Sequence, residues 1–435
     1  TCDRVGHFSM ITLVIKWATF TLSFILLGTG LAIGNVQESR SYVAGSVWRG
    51  ALARAVLQAR GQLKHSGLPV TAAAPAPDFA ALFLGEGAAR FGFLYPASQV
   101  GHMALPIPLT ARSCKQKLGF APGGHGLYDG LLNRLREAAS GERPYSRDEK
   151  PCSRCQGRLE RRRGFMGRAA ADDATICDEA RPGRRVFVRV GLNRFTETAQ
   201  EQILYFLEAL TPSAKDKDSA ATLTFTGTWS GTEEQEKTLQ AWLDQYLLPE
   251  DGGYRLEVGT ARARGMGHAI LRLSPAEDGT FGSTARDLAV RLERFQPGAD
   301  GQPIDPSHVY AALTLHSPLT LLDARGMPAE QITADLLRAY HSNVPAGLEV
   351  LADYSVLERE MWTGWSAAWG LPKPVTTVIS AGSVIALRVP ASERRQLLDY
   401  LAALSAEGLG EHRSEGFGEV LVCDLFHVVF DEKEL

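Results

Sequence analysis

The chain has 435 residues, of which 45% are hydrophobic and 22% are charged, and its formal net charge is −3. At roughly 150 residues per domain, this length predicts two or three domains. The composition excludes a wholly disordered chain, a collagen and a disulfide-scaffolded mini-protein. The near-neutral charge excludes a globally basic nucleic-acid binder, so any phosphate binding must come from a local cluster of basic residues.

The first segment allows two interpretations. Residues 1–9 precede Met10, a natural start, and are expected to be a non-native or disordered tail. The stretch Ile11–Ala32 is apolar apart from Lys16 and approaches the length of a membrane span, so a membrane-anchored protein is one hypothesis. We favour a buried strand followed by a loop, because the stretch is rich in Thr and β-branched residues and glycines interrupt its end.

The next motif is Tyr42-Val-Ala-Gly-Ser-Val-Trp-Arg-Gly-Ala-Leu-Ala53. Gly45 and Ser46 are expected to open a helix, with Ser46 as its cap. The free backbone N–H groups and Arg49 would then face one spot, an arrangement that suits a phosphate. The alternative is an ordinary capped helix with Arg49 in a surface ion pair.

A large insertion, about residues 68–185, is too long for a simple loop and should have a stabilising device of its own. Cys152 and Cys155 have the two-residue spacing that lets both thiolates bind one Zn²⁺ ion. The candidates for the remaining ligands are Cys114, His125 and Cys177. We favour Cys114 and His125, since His125 lies in a Gly-Gly-His-Gly turn, and expect a structural zinc site. The alternatives are free thiols and a redox pair, although no strand–CxxC–helix context is present.

Arginines are frequent from Arg158 to Arg194, with Arg189 among them. Such a run is either solvated surface or a groove for an RNA backbone, and the otherwise neutral chain favours the groove. The tryptophans Trp48, Trp362 and Trp365 are candidates for stacking on bases, or else belong to the core.

Two glycine-rich loops each follow a predicted helix. The first, Gly259-Thr-Ala-Arg-Ala-Arg-Gly-Met-Gly267, carries Arg262 and Arg264 and is followed by His268; the second, Gly408–Gly418, carries Arg413. Glycine allows positive φ and a close approach of the backbone to a ligand. Neither loop matches a phosphate-loop or dinucleotide-binding pattern, so the pair favours contact with a nucleic-acid backbone instead.

Strands and helices occur in the same order around both loops. The predicted elements are strand Ile11–Ile15, strand Ala221–Trp229, helix Glu233–Leu247 and strand Ala269–Leu273, and then strand Val309–Leu315, strand Ile379–Val389, helix Ser392–Leu404 and strand Val420–Val422. This repeat predicts an α+β fold of two ferredoxin-like domains, residues 10–273 with the insertion and residues 308–435. Residues 274–307 are rich in Pro, Gly and Asp and are expected to be a linker, with room for a short helix over Arg286–Phe295.

No sequence signature of a hydrolase, zinc protease or kinase is present, and we expect the chain not to be an enzyme. His7, His65, His102, His316 and His341 are scattered and have no evident partner. The alternative is an endoribonuclease with a histidine base.

Taken together, these motifs resemble the RAMP superfamily of CRISPR-associated proteins. Tyr42–Ala53 is similar to the helix-opening motif of that family, and Gly408–Val420 to its C-terminal glycine-rich loop. Further stretches resemble the double-RAMP, group-five-like subunit of type III-D effector complexes, namely Val188–Arg194 with Leu204–Leu210, Cys152–Cys155 with His125–Asp129, and Gly364–Pro372 with Ala381–Ser383. The sequence departs from the family in having Val-Ala-Gly45 where Ile-Pro-Gly is common, and Asn193 where Asp is frequent.

The resemblance implies two ferredoxin-like (RAMP/RRM-like) domains and a cytoplasmic, non-catalytic role in antiviral defence. It implies binding of the 5′ handle of a guide RNA (crRNA), beside a large polymerase-like subunit and backbone RAMP subunits, with target RNA reached only indirectly. Carried over by motif, the handle contacts are Gly45, Ser46, Arg49, Arg262, Arg264, Gly267, Arg413, Ser414 and Gly416. Within the same superfamily the alternatives are an endoribonuclease that processes repeat RNA and a backbone subunit that cleaves target RNA.

Overall fold

The computed structural model of the chain combines helices with several sheets. It describes residues 13–29, 34–63, 75–85, 87–97, 102–119, 123–141, 151–169, 176–193, 195–214, 224–275, 285–299, 302–366 and 370–430. The predicted tail, residues 1–9, lies outside these ranges. The helices, numbered α1–α8, are Gly45–Ala59, Pro77–Phe83, Leu131–Ser140, Glu233–Tyr246, Ala285–Arg294, Ala334–Tyr340, Arg394–Glu407 and Phe426–Val429.

The strand Leu13–Leu22 lies at the centre of an antiparallel N-terminal sheet, between Thr224–Thr232 and His268–Pro275. The full order is Pro249–Glu250, Gly253–Glu257, His268–Pro275, Leu13–Leu22, Thr224–Thr232 and Arg90–Phe91, with Tyr95–Ala97 also paired to Thr224–Thr232. The strand interpretation of the apolar N-terminal stretch is therefore confirmed for these ten residues. A search of the described helices finds none that is long and apolar enough to cross a membrane.

Helices α1 and α4 bury their apolar faces in the core of this sheet. In α1, Trp48, Leu52 and Val56 recur every four residues and are fully buried. Helix α4 begins with a capping box, in which the Thr232 hydroxyl accepts from the backbone N–H of Gln235 and the Gln235 side chain accepts from the Thr232 N–H. Such reciprocal capping satisfies two N–H groups that the helix start otherwise leaves unbonded, which explains why the helix begins at this position.

The C-terminal sheet has the order Glu349–Val350, Val384–Pro390, His308–Leu315 and Val420–Val422. Helix α7 packs Leu397, Leu401 and Leu404 into its core. The strand predicted over Ile379–Val389 is wrong as one element, because the chain turns between Ile379 and Val384 with Gly382 at φ +83°. The preceding strand, Thr376–Ile379, pairs instead with Arg359–Trp362.

The two sheets have the same plan. In the N-terminal unit the four main strands are Leu13–Leu22, Arg90–Phe91, Thr224–Thr232 and His268–Pro275. In the C-terminal unit they are His308–Leu315, Glu349–Val350, Val384–Pro390 and Val420–Val422. When these strands are numbered along the chain, both sheets have the order second, third, first, fourth, and helices follow the first and third strands. This order appears twice in one chain, as the repeated sequence pattern predicted.

The insertion forms small sheets and also contributes to the C-terminal core. Its sheets are Leu127–Asp129 with Ala111–Cys114 and Leu159–Arg161, and Ile176–Ala180 with Phe165–Ala169 and His102–Pro106. Leu131, Leu132 and Leu135 of α3 pack with the buried residues of the C-terminal sheet.

Helix α5, which lies in the segment predicted as a linker, packs Leu288 and Leu292 into the same core. The remaining strand pairs are Pro182–Leu192 with Ala199–Ala214 and Val36–Gln37, Trp365–Ser366 with Leu371–Pro372, and Gly298–Ala299 with Gln302–Pro303.

Candidate nucleic-acid interface and metal centre

The glycine-rich loops Gly259–Gly267 (loop 1) and Gly408–Gly418 (loop 2) have the same backbone. A 3-10 turn occupies the same place in each, Arg262–Arg264 in loop 1 and Arg413–Glu415 in loop 2. Positive φ angles occur at four matching positions: +81°, +58°, +77° and +91° at Gly259, Ala261, Gly265 and Gly267, and +81°, +58°, +83° and +72° at Gly410, His412, Gly416 and Gly418. The positive φ that the sequence predicted for these loops is confirmed.

The hydrogen bonds of the two loops match as well. The backbone N–H of Thr260 donates to the Leu26 carbonyl at 3.0 Å, as that of Glu411 does to the Thr320 carbonyl at 3.0 Å. A Cβ atom at Gly259 would lie 2.6 Å from the Leu26 oxygen, and one at Gly410 would collide with the Thr320 oxygen. These glycines are therefore needed for close backbone packing inside each unit, before any ligand is considered.

Loop 2 is covered by the N-terminal unit. A Cβ atom at Gly416 would collide with the carbonyl oxygen of Phe91, and one at Gly45 would collide with the carbonyl oxygen of Glu415. Phe417 is 3% exposed and packs against Phe93 and other aromatic rings between the units. Loop 2 therefore joins the two halves of the chain by direct backbone contact.

The start of helix α1 differs from the prediction at Ser46. Gly45 is the first helical residue, as expected, but the N-cap is Ala44 and no side chain caps the helix. Ser46 already lies within the first turn, so the prediction that it caps the helix is wrong. The guanidinium of Arg49 donates to the Phe83 carbonyl, and burial lowers its pKa. Gly45 and Arg49 thus both contact the chain itself, and their binding of a phosphate stays a prediction.

Loop 1 is open at the position where loop 2 is covered. Ala263, Arg264 and Gly265 are exposed, and a Cβ atom at Gly265 would meet nothing within 4 Å. Arg262 is half-buried, and burial together with the positive charge of Arg54 on α1 lowers its pKa. The turn of loop 1 therefore presents two arginines beside a third on the neighbouring helix.

A hairpin next to loop 1 adds further arginines, each close to an aromatic ring. It consists of Pro182–Leu192 and Ala199–Ala214. One face packs on loop 1 through Leu207, Ala209 and Met266. On that face the guanidinium-to-ring distances are 5.2 Å for Arg185 over Phe187, 5.7 Å for Arg185 over Phe24, 5.7 Å for Arg189 over Phe187 and 5.3 Å for Arg264 over Tyr205. We call these six residues, with Arg54 and Arg262, the arginine–aromatic surface.

Arg185, Arg189, Arg262 and Arg264 of this surface were predicted from the sequence, whereas Arg54 and the three rings were not. Phe24, Phe187 and Tyr205 are half-buried, so each ring is partly open to solvent. The alternation in Arg185-Val-Phe-Val-Arg189 was a signal, because residues two apart share one face of a strand. Arg194 lies outside the described residues.

The other predicted contacts lie elsewhere. Arg413 is exposed and 4.0 Å from Glu407, and Ser414 is half-buried in the covered loop. Gly267 is buried in loop 1, and the Nε2 atom of His268 lies 3.2 Å from a Glu250 carboxylate oxygen. Of the predicted loop residues, Arg264 and Arg413 are therefore exposed, Arg262 and Ser414 are half-buried, and Gly267 and Gly416 are buried.

The tryptophans and histidines are mostly interior. Trp48 is fully buried and Trp362 is 8% exposed, whereas Trp365 is 64% exposed. His316 and His341 are buried, with Nδ1 of His316 3.1 Å from Glu419 and Nε2 of His341 3.0 Å from the Gly408 carbonyl. Of the tryptophans considered for stacking on bases, Trp365 is therefore the exposed one.

The cysteine pair of the insertion belongs to a four-residue cluster. The ligand atoms of Cys114, His125, Cys152 and Cys155 all lie within 4.8 Å of one another. The Sγ atoms of Cys114 and Cys155 are 3.5 Å apart, and the Cys152 Sγ lies 3.3 Å from the His125 Nδ1. Two sulfur ligands of a tetrahedral Zn²⁺ ion are about 3.8 Å apart, so this cluster is close to the required size. The cluster can hold a metal ion, and it places Cys114 and His125 beside the cysteine pair; their binding of a metal stays a prediction.

The local fold favours the thiolate form of Cys152. The backbone N–H of Cys152 donates to the Gly157 carbonyl and that of Gln156 to the Cys152 carbonyl, each at 2.7 Å, which closes a tight turn around the pair. Burial raises the pKa of the Cys152 thiol, but hydrogen bonds from the backbone of Arg154 and Cys155 and from His125 outweigh it and lower the pKa to about 6. Tyr128 donates to the His125 carbonyl at 2.6 Å and so holds the histidine turn from behind. Cys177 lies on the strand Ile176–Ala180, and its side chain is outside the described part of the molecule.

Comparison with known proteins gives remote structural neighbours. No family model and no curated protein matches the chain. Two of these neighbours are chains in solved structures of the type III-B Cmr-beta complex. The match to the complex bound to cognate target RNA and AMPPnP has 12% identity and a TM-score of 0.39, and the match to the complex bound to cognate target RNA has 13% identity and a TM-score of 0.40. Each match covers 89% of this chain and 88% of the other chain. A chain of the apo complex matches at 9% identity and a TM-score of 0.26, over 61% of this chain and 98% of that one. At such low values, function has to be argued from the residues of this chain.

Proposed function

We propose that this chain is a non-catalytic, cytoplasmic RNA-binding subunit of a type III CRISPR effector ribonucleoprotein. In this proposal it holds the 5′ handle of the guide RNA and bridges the large polymerase-like subunit to the backbone RAMP subunits in antiviral defence. The type of complex, III-D, and these partners rest on the sequence resemblance of Tyr42–Ala53, Gly408–Val420 and the associated stretches. We also infer that both units are ferredoxin-like, since each runs strand–helix–strand–strand–helix–strand along the chain.

The arginine–aromatic surface is the observation that supports RNA binding best. Arginines attract the phosphates of a single strand, and each neutralised phosphate releases counterions. Aromatic rings provide the faces on which unpaired bases stack, and a guanidinium over such a ring adds to the stack. The rings at Phe24, Phe187 and Tyr205 alternate with Arg185, Arg189 and Arg264 in this manner. An exposed surface of this composition suits single-stranded RNA better than a duplex, whose bases are already stacked.

For the metal centre we propose Zn²⁺ with a structural role. Three thiols and one imidazole form a donor set that zinc prefers in closed, four-coordinate sites. Strand Leu127–Asp129, which directly follows the His125 turn, leads into α3 and hence into the C-terminal core. Zinc would therefore keep the insertion folded against the C-terminal unit.

The first test is to purify the tagged chain together with the products of its neighbouring genes and to sequence the RNA that accompanies it. Small RNAs that share one fixed, repeat-derived 5′ end support a handle-binding subunit. A soluble chain that purifies alone and without RNA contradicts the proposal.

Incubation of the complex with repeat RNA or target RNA in the presence of Mg²⁺ tests the endoribonuclease alternatives. These alternatives require discrete cuts in the RNA that are lost when residues of this subunit are substituted.

The second test separates this surface from general positive charge. Arg189→Ala removes one exposed arginine from the surface, and Arg325→Ala removes an arginine whose side chain is 84% exposed, on a turn of the C-terminal unit. Anisotropy titrations with a labelled single-stranded RNA measure the affinity of both variants at several salt concentrations. We expect weaker binding and a smaller salt dependence for Arg189→Ala only. Equal losses in both variants would mean that RNA binds through overall charge.

A further inference from the structure

One face of the hairpin exposes a row of apolar side chains, with the ion pair of Arg184 and Glu208 at one end. Val186, Val188 and Val190 lie on it, 55%, 59% and 47% exposed. The cross-strand pairs Val190–Leu204 and Val188–Phe206 place their partners on the same face, and Val36 joins it through its pairing with Phe206. We call Val36, Val186, Val188, Val190 and Leu204 the valine face. The proposed RNA surface gives no reason for such a face, because Arg185, Arg189 and Phe187 lie on the opposite side of the hairpin.

The strand that carries the three valines is also the edge of its sheet. In the described part of the chain, Pro182–Leu192 pairs only with Ala199–Ala214, which in turn pairs with Val36–Gln37. Soluble proteins normally protect a long apolar edge strand by covering it, shortening it or placing charges on it, because its free N–H and C=O groups pair with other strands. Here the register of the eleven-residue edge strand shifts at both ends, and its charge on the valine side is confined to Arg184, which pairs with Glu208. Between these ends, the run Val186, Val188 and Val190 carries no charge on this side and is exposed.

The hairpin tip displays another large apolar side chain. Phe195 is 98% exposed. The Asn193 side chain accepts a hydrogen bond from the Phe195 N–H at 2.9 Å, and the Glu197 N–H donates to the Asn193 carbonyl at 2.9 Å. The turn is therefore held by its own hydrogen bonds, and its ring is available as an anchor for a binding partner.

Charge decides between the candidate occupants of this edge. The segment Arg185-Val-Phe-Val-Arg189 reads the same in both directions. A second copy paired antiparallel about Phe187 would place Arg185 opposite Arg189, and like charges directly opposite each other destabilise a sheet. A partner strand with acidic residues opposite these arginines and apolar residues opposite the valines is complementary at both arginines and at all three valines.

We propose that Pro182–Leu192 is a docking edge for a β-strand of another protein in which acidic and apolar residues alternate. The added strand pairs with the free edge, lays its apolar side chains beside the valine face and places its carboxylates next to Arg185 and Arg189. Arg185 and Arg189 also belong to the arginine–aromatic surface, so the added strand would compete with RNA at these two residues. Loop 1 contacts the other strand of the hairpin, through Tyr205 and Leu207, and its arginines stay accessible. This inference does not depend on the proposed guide-RNA function.

The test uses the full chain and a labelled peptide, Glu-Val-Glu-Val-Glu-Val-Glu, in an anisotropy titration. The control peptides have the same composition in scrambled order, or Lys in place of Glu. The hairpin variant is Val186→Thr with Val188→Thr and Val190→Thr, since Thr keeps strand propensity while removing apolar surface. The matched variant is Val290→Thr with Val375→Thr, at valines that are 51% and 55% exposed outside the hairpin.

The alternating acidic peptide should bind the wild-type chain and bind the hairpin variant about tenfold more weakly, with no change for the matched variant. Binding of the Lys peptide with equal affinity, or no binding of the acidic peptide, overturns the proposal. Sedimentation velocity tests whether a second copy of the chain docks at this edge instead. A dimer that forms in the wild-type chain and the matched variant but not in the hairpin variant also overturns the proposal. Loss of single-stranded RNA binding in the hairpin variant, with the peptide unaffected, would assign the valine face to RNA instead.

Discussion

Loop 1 and loop 2 have one backbone conformation and two different environments. Gly416 of loop 2 lies against the backbone of Phe91 and Gly92, whereas the equivalent Gly265 of loop 1 faces open space. At the position before that glycine, loop 2 has Glu415, which pairs with Lys373 at 2.9 Å, and loop 1 has Arg264 over Tyr205. A glycine-rich loop of this conformation can therefore pack against another part of the chain or remain open, and the residues around it determine which of the two occurs.

The difference explains why the motif alone predicted too much. From sequence, both loops and the start of α1 were expected to bind one RNA backbone. In the structure, Gly45 and Gly416 allow two backbones of the same chain to approach closely, which already accounts for glycine at both positions. Loop 1, with Arg264 exposed and Arg262 half-buried, is the copy whose turn remains available for a ligand.

The largest effect that separates the two loops should come from the metal centre. Structural zinc contributes on the order of 10 kcal/mol to the folding of small domains. Replacement of Cys152 and Cys155 by Ser should release the metal, measured by elemental analysis, and lower the unfolding temperature. Because α3 of the insertion packs in the C-terminal core, hydrogen exchange should accelerate at loop 2 amides and much less at those of loop 1.

The control for this prediction is Cys423→Ala. Cys423 is fully buried in the C-terminal core and outside the metal cluster. This variant should lose stability through a small cavity and keep its metal. Equal acceleration of exchange at both loops in the double Ser variant would contradict the view that the metal centre supports the C-terminal unit.

Alanine substitutions at matching glycines test the covered and open environments directly. Gly416→Ala should lower the free energy of unfolding by about 3 kcal/mol, because the new methyl group collides with the Phe91 carbonyl and φ is positive. Gly265→Ala has the same positive φ and open space, so about 1 kcal/mol is expected. Urea denaturation measures both. A Gly265→Ala variant as unstable as Gly416→Ala would show that loop 1 is also covered in solution.

Much of the fold followed from local sequence patterns, and the corrections came from long-range contacts. The helix Glu233–Tyr246 was predictable because its capping residues and apolar positions lie within one segment. The cap at Ser46 was wrong because α1 begins against Glu415, hundreds of residues away in sequence. Two residues of the metal cluster were predictable because CxxC spacing constrains geometry. Tyr205 was missed because its neighbour Arg264 comes from another element.

Arginine substitutions compare the two loops as RNA ligands. Arg264→Ala should weaken single-stranded RNA binding by about tenfold, about 1.4 kcal/mol, since a hydrogen bond to a charged group contributes at about this level. The slope of log K against log salt should also fall by about 0.7 for one lost phosphate contact. Arg413→Ala should change affinity and slope little, because the exposed Arg413 lies 4.0 Å from Glu407 and outside the arginine–aromatic surface. Anisotropy titrations at several salt concentrations measure both, and a larger effect at Arg413 would reverse the assignment of open and covered loops.

The smallest effect concerns the charge that distinguishes the loops. Glu415→Gln removes the ion pair with Lys373, whose side chain is 37% exposed, so the loss of stability should not exceed about 1 kcal/mol. The carbonyl contact with Gly45 belongs to the backbone and is kept, so urea denaturation should show a far smaller change than for Gly416→Ala. The loss should shrink further at high salt, because an ion pair near the surface is screened. A large, salt-independent loss would mean that the side chain of Glu415, rather than the backbone contact, holds the two units together.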